Sequence, residues 1–182
     1  MASSARIPAA VCVVSVTDNS LLYLFNSMHK ILFVCHGNIC RSPMAEYVMK
    51  RLVEEAGVAG RFEIASAATS TEEIGNGVYP PARRKLAEHG IACGGHAARR
   101  ITRYDYQYYD RIVVMDAANR RNLSYVVGPD EAGKVSMLLD YAGRPGQEVA
   151  DPWYTGDFEA TWRDVLAGCK GLLKELEADS DF

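Results

Sequence analysis

Apolar and polar positions along the chain fall into alternating strand and helix patterns. Residues 31–34 (Ile-Leu-Phe-Val) are a short unbroken apolar run bounded by turn formers, as in a strand buried on both faces of a parallel sheet. After Pro43, which suits a first helical turn, Ala45, Val48, Met49, Leu52 and Val53 recur at three- and four-residue spacing. Gly57 ends that helix. Residues 62–67 alternate weakly and predict a second strand, and residues 81–89 predict a helix that stops at Gly90. Residues 111–115 and 135–138 predict a third and a fourth strand. The last helix spans about residues 157–178, with Phe158, Trp162, Val165, Leu166, Cys169, Leu172, Leu173 and Leu176 on its apolar stripe. This order predicts an α/β fold: a three-layer sandwich with a four-stranded parallel sheet covered by helices on both faces.

Residues 1–29 break the pattern. The apolar run 8–16 is too short to span a membrane, and Ser15 with Thr17-Asp18-Asn19 gives a poor secretory signal. We read this stretch as an N-terminal extension to a domain over residues 30–182, with residues 1–27 upstream of an initiator at Met28. An extra edge strand over residues 11–16 is the alternative.

Composition adds exclusions. The 182 residues are 48% hydrophobic and 24% charged, which suits one globular domain and not a disordered chain. A net charge of −3 offers no bulk grip on nucleic acid or an anionic membrane. Residues 83–121 are net basic and residues 148–182 net acidic, which reads as two solvated faces or as mild steering of an anionic substrate. Five cysteines (Cys12, Cys35, Cys40, Cys93 and Cys169), an odd number without recurring close pairs, argue against a disulfide framework or a zinc site. They fit a reducing, cytoplasmic setting. No metal and no cofactor is expected.

The chemistry concentrates in residues 34–43, Val-Cys-His-Gly-Asn-Ile-Cys-Arg-Ser-Pro, between the first strand and the first helix. A loop that winds into a helix N-terminus turns backbone N–H groups inward and adds the positive end of the helix dipole, which makes an anion cradle. Cys35 would lie at its floor, where that field favours a thiolate and hence a ready nucleophile. Arg41 can fold its planar fork over the same anion and follow it into a transition state. Gly37 and Asn38 suit a left-handed or tight backbone. The Ser42 hydroxyl is placed to hydrogen-bond the sulfur.

With these residues in view, the segment resembles the phosphate-binding loop of the low-molecular-weight protein tyrosine phosphatases: His36, Gly37, Asn38, Ile39, Cys40, Arg41 and Ser42 after the Cys35 nucleophile. The resemblance continues from about Lys30 to the last helix. Ser66-Ala67-Ala68-Thr69-Ser70, Gly90-Ile91 with His96-Ala97-Ala98-Arg99, Met115-Asp116 with Asn119, and Asp151-Pro152-Trp153-Tyr154 all resemble family runs. It implies that Asp151 is the general acid and later the base, with Pro152 restricting its backbone. Trp153 and Tyr154 would wall the cleft. Ser66 and His96 would brace the loop, and Asp116 would support it through His96 or Arg41. The resemblance also implies a reversible Cys35–Cys40 disulfide that shields the nucleophile from over-oxidation. Cys93 and Cys169 read as structural.

The expected activity is hydrolysis of phosphotyrosine monoesters through a phosphocysteine. The expected partners are a phosphotyrosine-containing protein or aryl phosphate and a cognate tyrosine kinase, with no nucleic acid and no membrane. Ile39 favours a flat aromatic substrate, whereas relatives acting on phosphoarginine tend to have Thr there. Arsenate reductases of the superfamily use a further cysteine pair, and Cys93 stands alone. A non-catalytic thiol redox module would need Cys35 and Cys40 but neither Arg41 nor Asp151. One departure concerns Thr71-Glu72-Glu73, where many relatives carry an aromatic on the opposite cleft wall; Glu72 there would disfavour acidic flanks or select basic ones. Tyr104, Tyr106, Tyr108 and Tyr109 read as packing or as a partner surface.

Overall fold

The computed structural model describes residues 28–178. The expectations for residues 1–27, including the strand over residues 11–16 and Cys12, lie outside the described residues.

Strand β1 (His29–Cys35) is central. It is followed by helix α1 (Arg41–Glu55), β2 (Phe62–Ala68), α2 (Pro80–Glu88), α3 (Arg103–Tyr108) and β3 (Arg111–Val114). Next come α4 (Ala117–Val127), β4 (Val135–Met137), α5 (Pro152–Thr155) and α6 (Phe158–Ala178). The four strands are parallel in the order β2-β1-β3-β4. Alternation along β1 divides the core in two. Ile31, Phe33 and Cys35 face one layer, formed with α1, α2 and α6, through Met44, Val48, Leu86, Trp162 and Leu172. Leu32 and Val34 face the other, where they meet Ile112, Val114, Tyr109 and Leu123 beside α3 and α4. These are the three layers expected, and the four expected strands recur within one or two residues at most ends, β1 starting two residues earlier.

Three helices were not anticipated. α4 buries only Asn119 and Leu123, too narrow a stripe to read as a periodicity. α3 is one and a half turns long and depends on its cap: Thr102 Oγ1 accepts from the Asp105 N–H, and Asp105 Oδ2 accepts from the Thr102 N–H at 2.7 Å. α5 is a single turn. The tyrosine run is largely packing. Tyr109 is buried, the Tyr106 and Tyr108 hydroxyls donate to Asp130 and Glu63, and Tyr104 remains exposed. In α6, Gly168 and Gly171 face the turn after β4, and a Cβ at either would overlap Leu138 or the Tyr141 carbonyl. Their smallness lets α6 lie against the sheet edge.

This topology locates the site. From β1 the chain crosses to β2 on one side and later returns to β3 on the other. The carboxyl ends of β1 and β3 therefore flank the switch point, where an open parallel sheet leaves a crevice. The loop before α1 and Asp116, two residues past β3, meet there.

Candidate active site

Cys35 ends β1 with its side chain buried, and the next six residues wrap around its sulfur. The turn is sharp because Asn38 adopts a left-handed conformation (φ 58°), unique among the described non-glycine residues. Gly37 does not share the left-handed conformation. Its requirement is space, since a Cβ there would stand 3.1 Å from the Glu73 Cγ. Asn38 is held in its strained turn from several sides. Its Nδ2 donates to Ser42 Oγ (2.9 Å) and Ser66 Oγ (2.8 Å), its Oδ1 accepts from the Arg99 N–H (3.2 Å), and its carbonyl meets His96 Nε2 (2.7 Å). Behind it, Thr69 and Ser70 donate their N–H groups to the carbonyls of Cys35 and His36.

The network has a direction. Both amide hydrogens of Asn38 are used, so Ser42 accepts there, and its own hydrogen is left for the Cys35 Sγ at 3.0 Å or the more distant Ala67 carbonyl at 3.5 Å. The Asn38 N–H also points at that sulfur, at 3.3 Å. Ser66 passes its hydrogen on to Glu46 Oε2 at 2.5 Å. Ser66 and His96 thus both bond to Asn38 in the loop. Glu46 was missed. Its signal was present as a carboxylate inside the apolar stripe of α1, beside Ala45 and Met49, where a charge is tolerated only with partners. Lys50 supplies the second one, on Oε1 at 2.5 Å.

Arg41, 4% exposed, begins α1 and reaches across the switch point. Its Nη1 donates to Asp116 Oδ2 and its Nη2 to Asp151 Oδ2, both at 2.5 Å. Burial works against the guanidinium charge, but Cys35, Asp116 and Asp151 outweigh it and hold the pKa above its ordinary value. Asp116 therefore supports the loop through Arg41 and not through His96. It also caps α4 by accepting the Asn119 N–H on Oδ1, so one carboxylate both caps a helix and holds Arg41. Burial, then the neighbouring Cys35, pushes the Cys40 thiol up to about 12.

Asp151 sits across the cavity with φ −89° and ψ 107°, the extended backbone that Pro152 requires. Its Oδ1 accepts the Trp153 N–H at 3.1 Å, so it also caps α5. The cavity holds about 160 Å³ and is lined by Cys35, Arg41, Asp151, Ile39, Trp153, Tyr154, His36 and Glu72, with Gly37, Cys40 and Glu73. Every predicted cleft residue meets there. Trp153 and Tyr154 are largely exposed on one wall, with Tyr79 beneath, its ring centroid 5.5 Å from that of Trp153. On the other wall Glu72 Oε2 lies 3.1 Å from His36 Nε2. Glu73 and Tyr79 were not singled out from sequence as contributors to the cleft. Of the remaining cysteines, Cys93 is buried in the core, and Cys169 is fully buried with its thiol against the Ala45 carbonyl.

A parallel α/β sheet with an anion cradle at its switch point, a cysteine at the cradle floor and a carboxylate across the cavity defines a class of cysteine-containing phosphate-ester sites. The family model for low molecular weight phosphotyrosine protein phosphatase matches residues 30–181, and the chain belongs to that family. It is 35% identical to the low molecular weight protein-tyrosine-phosphatase YfkJ of Bacillus subtilis over 85% of this chain and all of that protein. The crystal structure of YfkJ superposes with a TM-score of 0.81 over 85% of this chain and 98% of that one. The low molecular weight phosphotyrosine protein phosphatase of Gallus gallus is 40% identical over 80% of this chain and 94% of its own. The crystal structure of a Drosophila arginine phosphatase is also similar, at 29% identity over 81% of this chain and 98% of that one, with a TM-score of 0.73.

Proposed function

We propose that this protein hydrolyses phosphotyrosine monoesters through a phosphocysteine, with Cys35, Arg41 and Asp151 as catalytic residues. The observation that carries the reading is the convergence of all three on one small cavity, with two donors already aimed at the Cys35 sulfur. The phosphoryl group would take the loop amides of residues 36–41 and the Arg41 Nη2 that now holds Asp151, while Asp116 keeps Nη1 in place. Relieved of the guanidinium, Asp151 is free to carry a proton. Cys35 Sγ attacks phosphorus, the ester P–O bond breaks, and Asp151 gives its proton to the leaving phenolic oxygen. The Asp151 carboxylate then takes a proton from water as that water attacks the phosphocysteine. Phosphate leaves and the thiolate returns. Ser42 and Asn38 steady the sulfur as leaving group.

Ile39 is buried in the cavity wall against Tyr79 and Phe158. Together with Trp153 it favours a flat ring over the more polar phosphoarginine group. Phosphoarginine is the second reading, favoured by the similarity to an arginine phosphatase. A panel of phosphotyrosine, phosphoarginine and phosphoserine peptides tests the choice. Phosphotyrosine should be cleaved fastest, and faster turnover of phosphoarginine would overturn the reading.

Cys40 fits a redox guard. Its raised pKa keeps it a thiol at neutral pH, so peroxide would first oxidise Cys35 to the sulfenic acid. Attack by Cys40 then closes a Cys35–Cys40 disulfide and releases water. Peptide mapping after peroxide should recover that linkage. Irreversible inactivation without it would sink the idea. A working thiol also suits the cytoplasm, with a tyrosine kinase supplying the phosphoprotein and the residues before His29, which begins β1, as an extension outside the catalytic domain. Among the described residues, no helix is long and apolar enough to cross a membrane.

A further inference from the structure

The two walls of the cleft carry opposite charge. On one wall Glu72 and Glu73 border the catalytic cavity. Glu72 shares the His36 ring. Glu73 accepts from the Asn76 amide at 2.7 Å and has no cationic partner among the described residues. Its negative charge contributes to raising the Cys40 pKa, so it is felt within the phosphate loop itself. A carboxylate so placed repels a phosphate dianion unless the substrate brings a cation with it. On the other wall, Trp153 separates the catalytic cavity from a second groove of about 450 Å³, lined by Tyr79, Pro81, Arg84, Pro152 and Phe158. Its floor is apolar and aromatic. Its cation is the exposed Arg84 in the middle of α2, which forms no hydrogen bond or ion pair with a described side chain, although its charge is felt by Glu88 one turn on.

We propose that this cleft reads the flanks of its phosphotyrosine substrate by charge, taking a basic side chain against Glu72 and Glu73 and an acidic one in the Arg84 groove. The inference rests on the phosphatase reading above and names its substrate class: an extended peptide with opposite charges on the two sides of the phosphotyrosine. A peptide seated with its ring between Ile39 and Trp153 runs out over both walls. At about 3.3 Å per residue, side chains within a few positions of the ring reach each one. Trp153 belongs to both cavities, so one chain can occupy the two together.

The test uses four phosphopeptides with a common core: basic on both flanks, acidic on both, and the two mixed orders. One mixed order should give the highest kcat/KM, by about two- to fivefold per correctly charged flank at low salt, and the advantage should shrink as salt is raised. Glu72→Gln with Glu73→Gln should remove the preference for the basic flank and raise kcat/KM on the doubly acidic peptide. Arg84→Gln should remove the preference for the acidic flank alone. Equal rates across the four peptides, or a preference that the variants leave unmoved, would overturn the inference while the phosphatase reading stands. Failure to cleave any of the four, or an aryl phosphate, would overturn both.

Discussion

The phosphate loop and the cleft rim border the same cavity, yet they are held in different ways. In the loop, Asn38, Ser42 and Ser66 are buried and joined in one directed hydrogen-bond chain that ends on Glu46. On the rim, Glu72, Trp153 and Tyr154 are exposed and make few contacts. A charge moved by an ångström on the rim alters a screened interaction of modest size. A donor moved by the same amount in the loop misaims the nucleophile. The loop thus fixes the reaction, and the rim is free to set which phosphoprotein enters. Asp151 belongs to both, since it is partly exposed but tied to Arg41.

Substitutions can break this contrast in order of size. Cys35→Ser should abolish turnover, by about 10⁴-fold or more, while inorganic phosphate still binds; steady-state kinetics beside phosphate titration reads both. Asp151→Ala should lower kcat by about 10²-fold or more on phosphotyrosine and by less on a substrate whose leaving group needs no proton. The leaving-group dependence separates loss of the acid from a general disturbance. Asn38→Ala should lower both activity and stability, by about 1–3 kcal/mol in thermal or denaturant unfolding, because it removes three side-chain hydrogen bonds and leaves a side chain in the left-handed region. Asn38→Gly keeps the backbone and loses the amide, so it should recover part of the stability and little of the activity. If the two variants behave alike in both, the directed chain is not what positions Cys35.

Away from the site, Gly171→Ala should cost about 1–3 kcal/mol, since the new methyl meets the Tyr141 carbonyl. A smaller effect concerns pH. Burial raises the Asp105 carboxyl, but hydrogen bonds from Arg99 and Thr102 outweigh it and hold its pKa below the ordinary value. Its stabilisation is therefore complete above the unfolded carboxylate pKa of about 4 and is lost as pH falls through the lower folded value. Acid unfolding of Asp105→Asn should lack that part of the slope.

The sequence made the cradle legible because its parts are contiguous. A cysteine, a turn, an arginine and a helix start within eight residues specify one geometry almost by themselves. Asp151 and Asp116 lie far along the chain and were found by resemblance, since an Asp before Pro or after a strand is ordinarily a cap. Both are caps here as well, which explains why local reasoning cannot separate the roles. Glu46 escaped notice because the helical stripe was read for its apolar members only. At Gly37 the close approach of Glu73 is tertiary and leaves no local mark in the sequence. α3 and α4 were missed because caps and a few long-range contacts hold them, and neither has an apolar stripe. The charges of the rim were visible in sequence, but their division between two walls around Trp153 emerges only in three dimensions.

The most direct measurement of the central claim is to trap the covalent intermediate. Asp151→Ala, mixed with an excess of a fast-leaving aryl phosphate and quenched in acid, should carry one phosphoryl group, and digestion should place it on the Cys35 peptide. A phosphoryl group on another residue, or unimpaired hydrolysis by Cys35→Ser, would contradict the account.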